Sequence, residues 1–397
     1  MTRFFFGFVA SIFRMAFIHP FGKLYDFSLY LEYLIYMYKN RGVVKYKVYR
    51  SESCEPTEKV CVFVLYQPRK LSGNTYKYLE AIKRQGYSIM AISNVAISAT
   101  DLDKLNLLCF QLIERDNIGR DFGAYKTGIL EIYKQQLPVK HLLIANDSVH
   151  APLHDLSPMH SHMEAQDYDF WGVADNSEIS YHVGSYYVAF GEKVLSDARF
   201  KRFWECYAEK NSRRHVIKRG EVALSKLLLS LGFNIGVYKT GKDIIDLVKQ
   251  MNINDLVGLL FTFKVSVLYK YASRSYGAVH QLEQLRSDIG NISKLESEDS
   301  SLNIKSFKYR VALCFGEIFE NCSSAHVGAL IFNNYLDYPL LKKDLVFREL
   351  YDFGFLMSNI KITTDISIDE IEADFRVKGV PKTNNIFKRM LIYSGYM

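Results

Sequence analysis

Seven consecutive uncharged, mostly apolar residues, Val60-Cys61-Val62-Phe63-Val64-Leu65-Tyr66, constrain this chain more than any other feature. The run is too short for a buried helix and is bounded by turn formers, so it predicts a strand covered on both faces. Similar runs follow at Tyr87–Ile92, Leu107–Ile113 and His141–Ala145. Between them, helical patterns occupy Asn74–Gln85, stopped by Gly86, and Tyr125–Gln136. Strands alternating with helices at this spacing predict an α/β fold, a mostly parallel sheet with helices on both faces. In such sheets ligands bind beyond the carboxyl ends of the strands, so polar clusters just after strands are where chemistry is expected.

Further strands are expected at Phe170–Val173 and Ser185–Phe190, and helices at Lys193–Tyr207 and Glu221–Leu231, the latter closed by Gly232. Residues 243–285 read as helical, with a very apolar stretch from Leu256 to Leu268, and Ser287–Asn303 reads as a polar loop or linker. The expected organisation is a basic aromatic segment over 1–57, a main domain over 58–355 with a helical insertion at about 243–303, and a tail over 356–397. Six scattered cysteines without metal-ligand spacing suit a reducing compartment such as the cytoplasm.

The net charge of +7 is concentrated at the start: residues 1–50 hold eight Lys or Arg against Asp26 and Glu32, among many Phe and Tyr. Basic and aromatic residues on helical spacing compose a segment that lies in a membrane interface. The competing readings are helices packed on the protein's own core, and a signal or spanning segment. The apolar run Phe4–Ile18 is broken by Arg14, whereas a spanning helix needs about 20 apolar residues. Nucleic acid is not an expected partner, because the rest of the chain is nearly neutral and carries no groove-reading motif.

Two clusters follow strands. The loop Arg115–Gly123 places Asn117, Gly119, Arg120 and Asp121 together. Its glycines let backbone N–H groups approach a phosphate, Asn and Asp can bond a ribose or base, and Arg can pair a phosphate bidentately. The alternative is a surface turn with Asp121 capping a helix. The turn Asn146-Asp147-Ser148 offers a carboxylate that can bind magnesium or manganese against a diphosphate, or that caps a turn. His182 and Ser185 precede a strand. Trp171, beside Gly172, offers either a sugar-stacking face or a core ring. Glu221 is read as opening a helix, where an acid is expected electrostatically but could also take a proton from an acceptor hydroxyl. His326 is a lone polar candidate.

Taken together, Asn117–Lys126, Leu142–Leu153, Asp169–Val173, His182–Phe190, Phe203-Trp204, Gly220–Ser225 and Asn334–Lys343 resemble the rhamnan synthesis protein F family of polysaccharide glycosyltransferases, over about 58–350. The resemblance implies a GT-A-like, Rossmann-type domain that binds a nucleoside-diphosphate sugar. It implies donor contacts from Asn117, Gly119, Arg120, Asp121, Asn146, Ser148, His182 and Ser185, with Trp171 or His326 toward sugar or acceptor. Asp147 would occupy the place of the fold's metal-binding acidic motif, with one acid where many relatives of the fold have two or three. Glu221 falls where similar inverting enzymes place a catalytic aspartate. The implied reaction moves a sugar, with rhamnose or another deoxyhexose the first expectation, to a lipid-linked saccharide at the inner face of the cytoplasmic membrane. A non-catalytic binding subunit and a sugar-phosphate transferase are the alternatives.

Overall fold

The structure, a computed structural model, describes residues 19–262, 273–292 and 300–378, with positions 268, 385, 388, 390, 391 and 396. A long helix, His19–Lys39, comes first. The strands are β1 (Tyr46–Arg50), β2 (Lys59–Leu65), β3 (Ser88–Ser93), β4 (Cys109–Arg115), β5 (His141–Asn146), β6 (Val149–His150), β7 (Phe170–Asn176), β8 (His182–Val183), β9 (Tyr187–Phe190), β10 (Ile235–Lys239) and β11 (Leu341–Lys342). The main sheet runs β1-β4-β3-β2-β5-β9-β7-β10, with β8 beside β7, and β11 pairs with β6 apart from it. β4, β3, β2 and β5 are mutually parallel and β7 is parallel to β10, whereas β1 and β9 run against their neighbours. The expected α/β architecture with a mostly parallel sheet is borne out.

Both faces are covered, as the uninterrupted apolar runs require. Along β2 the side chains alternate: Cys61, Phe63 and Leu65 enter one core, Val60, Val62 and Val64 the other. The first core is closed by helices Gly73–Arg84, Ser157–Glu164, Gly241–Gln250 and Ser300–Phe319. The second is closed by helices Arg120–Gln135, Ala198–Cys206 and Val222–Ser230. There Phe122 stacks on the fully buried Trp204 at 5.6 Å between ring centroids, with Phe200 and Phe203 against the indole's edges.

Several boundaries differ from expectation. Residues 46–50 are not part of a separate segment, because β1 pairs antiparallel with β4 and forms the sheet's edge. The stretch Lys193–Tyr207 is two short helices, divided at Asp197, whose carboxylate caps the second by accepting from the Arg199 N–H. The polar stretch 287–303 is not a loop throughout: one helix runs on to Ile292 and the next begins at Ser300, while 293–299 lie outside the described residues. Ile289 packs toward the core and keeps the first of them helical. The beginning of the tail folds back, with Glu370 accepting from the Ser72 hydroxyl at 2.7 Å and the Asn74 N–H at 2.8 Å, which ties helix Ile368–Lys378 to helix Gly73–Arg84. Among the described residues, no helix is long and apolar enough to cross a membrane.

Trp204 is fully buried in the second core, so Trp204→Ala should lower unfolding stability by about 3–5 kcal/mol. Chemical denaturation measures this, and a loss under about 1 kcal/mol would mean that the aromatic cluster is not a structural centre.

Candidate active site

The polar clusters converge on one cavity at the carboxyl ends of the strands, where an α/β sheet places its ligands. Arg120 and Asp121 reach it from the loop after β4, Ser148 from the turn after β5, and Asp175 and Asn176 from the end of β7. His182, Gly184, Tyr186 and Glu221 form its floor, and His326, Lys342, Asp344 and Arg348 close it from the far part of the chain.

The loop after β4 is held in an unusual backbone shape. Gly119 has φ 79° and Arg120 has φ 55°, a left-handed conformation that costs a non-glycine residue energy and persists only where the surroundings enforce it. The enforcing group is Arg115. Its side chain is fully buried, ion-paired with Glu209 at 2.6 Å, and donates to the Ile118 carbonyl and to Asn94 Oδ1. Asn94 in turn donates to the Arg120 carbonyl, and Asn211 accepts from the Gly119 N–H at 2.8 Å. A Cβ on Gly119 would lie 2.7 Å from the Glu209 Cβ, and one on Gly123 would lie 2.2 Å from the Ile118 carbonyl oxygen. Both glycines are therefore demanded by packing as well as by any ligand. The helix is capped by Gly119 in this shape and not by Asp121, whose carboxylate faces the cavity.

Glu221 does not open a helix. Helix Arg213–His215 runs through a π-helical turn, Val216–Glu221, into helix Val222–Ser230, so Glu221 sits mid-helix. Gly220 is not a break: a Cβ there would lie 2.7 Å from the Phe122 ring, and its absence lets the wide turn pack on the core. Single π-turns of this kind are frequent at functional sites. The N-terminal electrostatic explanation for this acid is thereby removed. Its Oε1 accepts from the Ser185 hydroxyl at 2.6 Å and the Ser185 N–H at 3.3 Å, and its Oε2 lies 3.7 Å from His182 Nε2. At that distance the His182 contact is an ion pair and not a hydrogen bond. The other ring nitrogen, Nδ1, lies 2.7 Å from the Ser180 carbonyl and is placed to donate to it.

Burial alone would raise the Glu221 carboxyl, but His182, the Ser185 hydroxyl and Lys342 outweigh it and hold it at about 2. Burial alone would depress His182, and Glu221 reverses that, raising it. Asp121 is pushed up by burial and by the nearby Glu221 charge, against the pull of Arg120. Lys342 is pulled down to about 8 by burial, which outweighs the attraction of Asp344 and Glu221. Its ammonium stands 3.7 Å from the Tyr186 ring centre and 3.3 Å from the Ser148 hydroxyl. His326 is fixed between the Ser323 hydroxyl at 2.7 Å and Asp344 at 3.0 Å.

Of the residues singled out in the sequence, Arg120, Asp121, Ser148, His182, Glu221 and His326 line this cavity. Ser185 lies behind Glu221, and Asn146 sits 3.5 Å from Asp121, so both act on cavity groups from outside its wall. Gly119 shapes the loop, and Asn117 is exposed away from the cavity. Trp171 is a core ring, not a sugar platform. It is the second residue of β7, far from the strand's carboxyl end, and packs against His160 and Tyr187. Asp147 is turned away from the cavity, its Oδ2 accepting from the Tyr66 N–H and the Gln67 amide at 2.9 and 3.0 Å. Among the described residues, no group of three or more His, Cys, Asp or Glu is placed to hold a metal. Lys342 and Asp344 were not anticipated; one lysine among fifty Lys and Arg gives no local signal.

An α/β protein with a polar, charge-lined cavity at the strand ends is the class that fold and site define. The family model described as Rhamnan synthesis protein F matches residues 89–266, which bears out the resemblance read from the motifs and takes in the loop after β4 and Glu221. The uncharacterized protein y4gN of Sinorhizobium fredii is 31% identical over 237 residues, 56% of this chain and 62% of that protein. Virulence protein VirA of Vibrio anguillarum is 31% identical over 150 residues, 36% of this chain and 46% of that protein. The chain thus spans less than two thirds of either relative. Among solved structures, a mannosyltransferase from Pyrobaculum calidifontis in complex with GDP-Man and Mn2+ is similar over 89% of this chain and 97% of its own, at 10% identity and a TM-score of 0.29. That superposition is too loose to carry an argument about this chain.

Glu209→Gln would leave the buried Arg115 without its counter-ion, and breaking such a pair typically costs about 3–5 kcal/mol. The melting temperature should fall clearly, and an unchanged value would show that Arg115 is not what fixes the loop.

Proposed function

We propose that the chain is a glycosyltransferase of bacterial surface-polysaccharide synthesis with a GT-A-like catalytic domain. It would move a sugar, with a deoxyhexose such as rhamnose the first candidate, from a nucleoside-diphosphate donor to a lipid-linked saccharide. The protein would act peripherally at the inner face of the cytoplasmic membrane. The observation that carries this reading is the cavity itself: Arg120 and Lys342 in its lining with a carboxylate held ionised, Glu221, and a family match that covers both the Arg120 loop and Glu221.

In the proposed reaction the acceptor hydroxyl oxygen bonds to the anomeric carbon as the bond from that carbon to the diphosphate oxygen breaks. The electron pair leaves with the nucleoside diphosphate, and the acceptor proton passes to Glu221, giving inversion. Arg120 and Lys342 would balance the charge that grows on the leaving group. Asp147 does not fit a cation at this cavity. Asp121 does fit: its carboxylate faces the cavity, and burial and Glu221 leave its charge incompletely offset. Magnesium or manganese needs one or two carboxylates besides phosphate and water, and there it would neutralise the donor's diphosphate.

The test is a panel of sugar nucleotides with nucleotide release as readout. Wild type should release nucleoside diphosphate with one donor, and Glu221→Gln should lose about 10²–10⁴-fold in turnover with donor affinity kept. Release of the monophosphate would instead identify a sugar-phosphate transferase. Donor binding without release under any acceptor would identify a binding subunit.

His182 gives an independent measurement through pH. Glu221's carboxyl is held low by His182, so removing the imidazole should raise it toward or above the ordinary carboxylate range, about 4.3. In His182→Gln the acid limb of kcat/KM should move to higher pH. A limb in the same place as wild type would dissociate His182 from Glu221's protonation.

A further inference from the structure

The helix His19–Lys39 is amphipathic in an inverted sense. Its half-buried or buried positions recur at Gly22, Tyr25, Asp26, Leu29, Tyr30, Tyr33, Tyr36, Met37 and Asn40, one helical stripe that faces the protein. That stripe makes polar contacts. The Tyr36 hydroxyl donates to Asp116 at 2.6 Å, Asp26 accepts from the Ser212 hydroxyl at 2.6 Å, and the Lys210 ammonium stands 4.0 Å from the Tyr30 ring centre. The opposite stripe holds Leu24, Phe27, Leu31, Leu34, Ile35 and Tyr38, from 42% to 89% exposed. A water-facing helix normally does the reverse and turns Leu, Ile and Phe inward. A contiguous apolar face about 20 Å long, at 1.5 Å per residue, is beyond what scattered surface residues explain.

We propose that this outward face is a docking surface for an anionic lipid bilayer. The charge around it selects that occupant. Lys23, Lys39, Arg41, Lys45, Lys47 and Arg50 are exposed on the helix, the following turn and the edge strand β1, against Glu32 as the exposed acid of residues 19–50. Leucine and isoleucine between lysines, with tyrosine at one end, is the composition of a helix lying in the headgroup region.

The placement deepens the proposed reaction and rests on it only for its purpose. The inward stripe of the same helix bonds Asp116 and Ser212, and the chain next to each contributes Arg120 and Arg213 to the cavity wall. Seating the helix on a bilayer would therefore bring the cavity's rim to the surface from which a lipid-linked acceptor is presented.

Flotation of the full chain with phosphatidylglycerol–phosphatidylcholine vesicles tests the proposal. The protein should float at low salt, less at high salt, and not with phosphatidylcholine alone. The triple variant Leu24→Glu/Leu31→Glu/Ile35→Glu should stay in the pellet fraction while keeping the wild-type melting temperature. Leu31→Trp should show a blue-shifted emission on the anionic vesicles, readable because Trp171 and Trp204 are buried already. Flotation by the triple variant equal to wild type would overturn the proposal. So would equal binding to neutral vesicles, or a wild-type dimer in light scattering that the triple variant abolishes without any vesicle binding. Turnover on a soluble saccharide acceptor separates the two readings: its absence in wild type bears on the reaction alone, and lost flotation with turnover intact bears on docking alone.

Discussion

The buried pair of Arg115 and Glu209 is the interaction on which the cavity depends. Arg115 ends β4, Glu209 lies on the segment between helix Ala198–Cys206 and the π-turn, and their contact at 2.6 Å ties the sheet's end to that segment. Burying two charges is expensive, and the Coulomb attraction repays it only if the remaining donors are used. Here one Arg115 terminal nitrogen bonds both Asn94 and the Ile118 carbonyl, fixing the loop that presents Arg120, while the buried Nε is left without a partner among the described residues, a cost the pair carries. The same pair therefore sets the left-handed backbone at Gly119 and Arg120. A hydrophobic replacement of equal volume could hold the two elements together but could not aim a carbonyl and an amide at the loop.

The middle of the sheet was readable because β2, β3, β4 and β5 are buried on both faces and so show as apolar runs, whereas the exposed edge strand β1 and the half-exposed β10 were not; β2 as read, Val60–Tyr66, lies within a residue of the strand. The Asn117–Gly123 loop was readable because it sets glycines beside Arg and Asp directly after a strand, although packing demands the glycines too. What failed were inferences that needed a third dimension. Glu221 read as a helix start after Gly220, yet here Gly220 is the contact point of a π-turn with Phe122 and the helix runs through it. Asp147 stands at the right place in sequence, but the backbone N–H of Tyr66, displaced by the end of β2, takes its carboxylate. Trp171 is adjacent to Gly172, but its position early in β7 commits it to the core. Lys342 arrives through the pairing of two-residue strands β6 and β11, a contact across nearly two hundred residues that no local pattern encodes.

The N-terminal segment combines both situations. Its basic and aromatic composition was legible, whereas the division of labour around the helix was not. Tyrosine can serve either side of such a helix, because its ring is apolar and its hydroxyl bonds. The structure sends most of the tyrosines inward, where the Tyr36 hydroxyl finds Asp116 and the Tyr30 ring meets Lys210, and leaves most of the leucine and isoleucine side chains outside. Sequence periodicity detects that two faces exist; which of them meets the protein is decided by the partners waiting there.

The charges around the cavity are interleaved, and their neighbours decide which carboxylate is held ionised. Arg120 and Lys342 line it from the β4 loop and beside Ser148, while Asp175 and Glu178 line it from the end of β7 and just beyond, with Asp175 raised by burial and bonded by the Ser324 hydroxyl. Arg348, 3.9 Å from Glu178 and 2.6 Å from Asp344, and Arg213 line the same part, so cations and carboxylates stand side by side, and in a partly desolvated cleft such forces are several times stronger than in water. Among these groups lies Glu221, kept ionised by His182 and Ser185 although its neighbour Asp121 is pushed the other way. Two carboxylates side by side each raise the other's hold on its proton, and the partners behind them decide which is held lower. In the proposed reaction the acceptor proton would therefore go to Glu221, the carboxylate that is already charged.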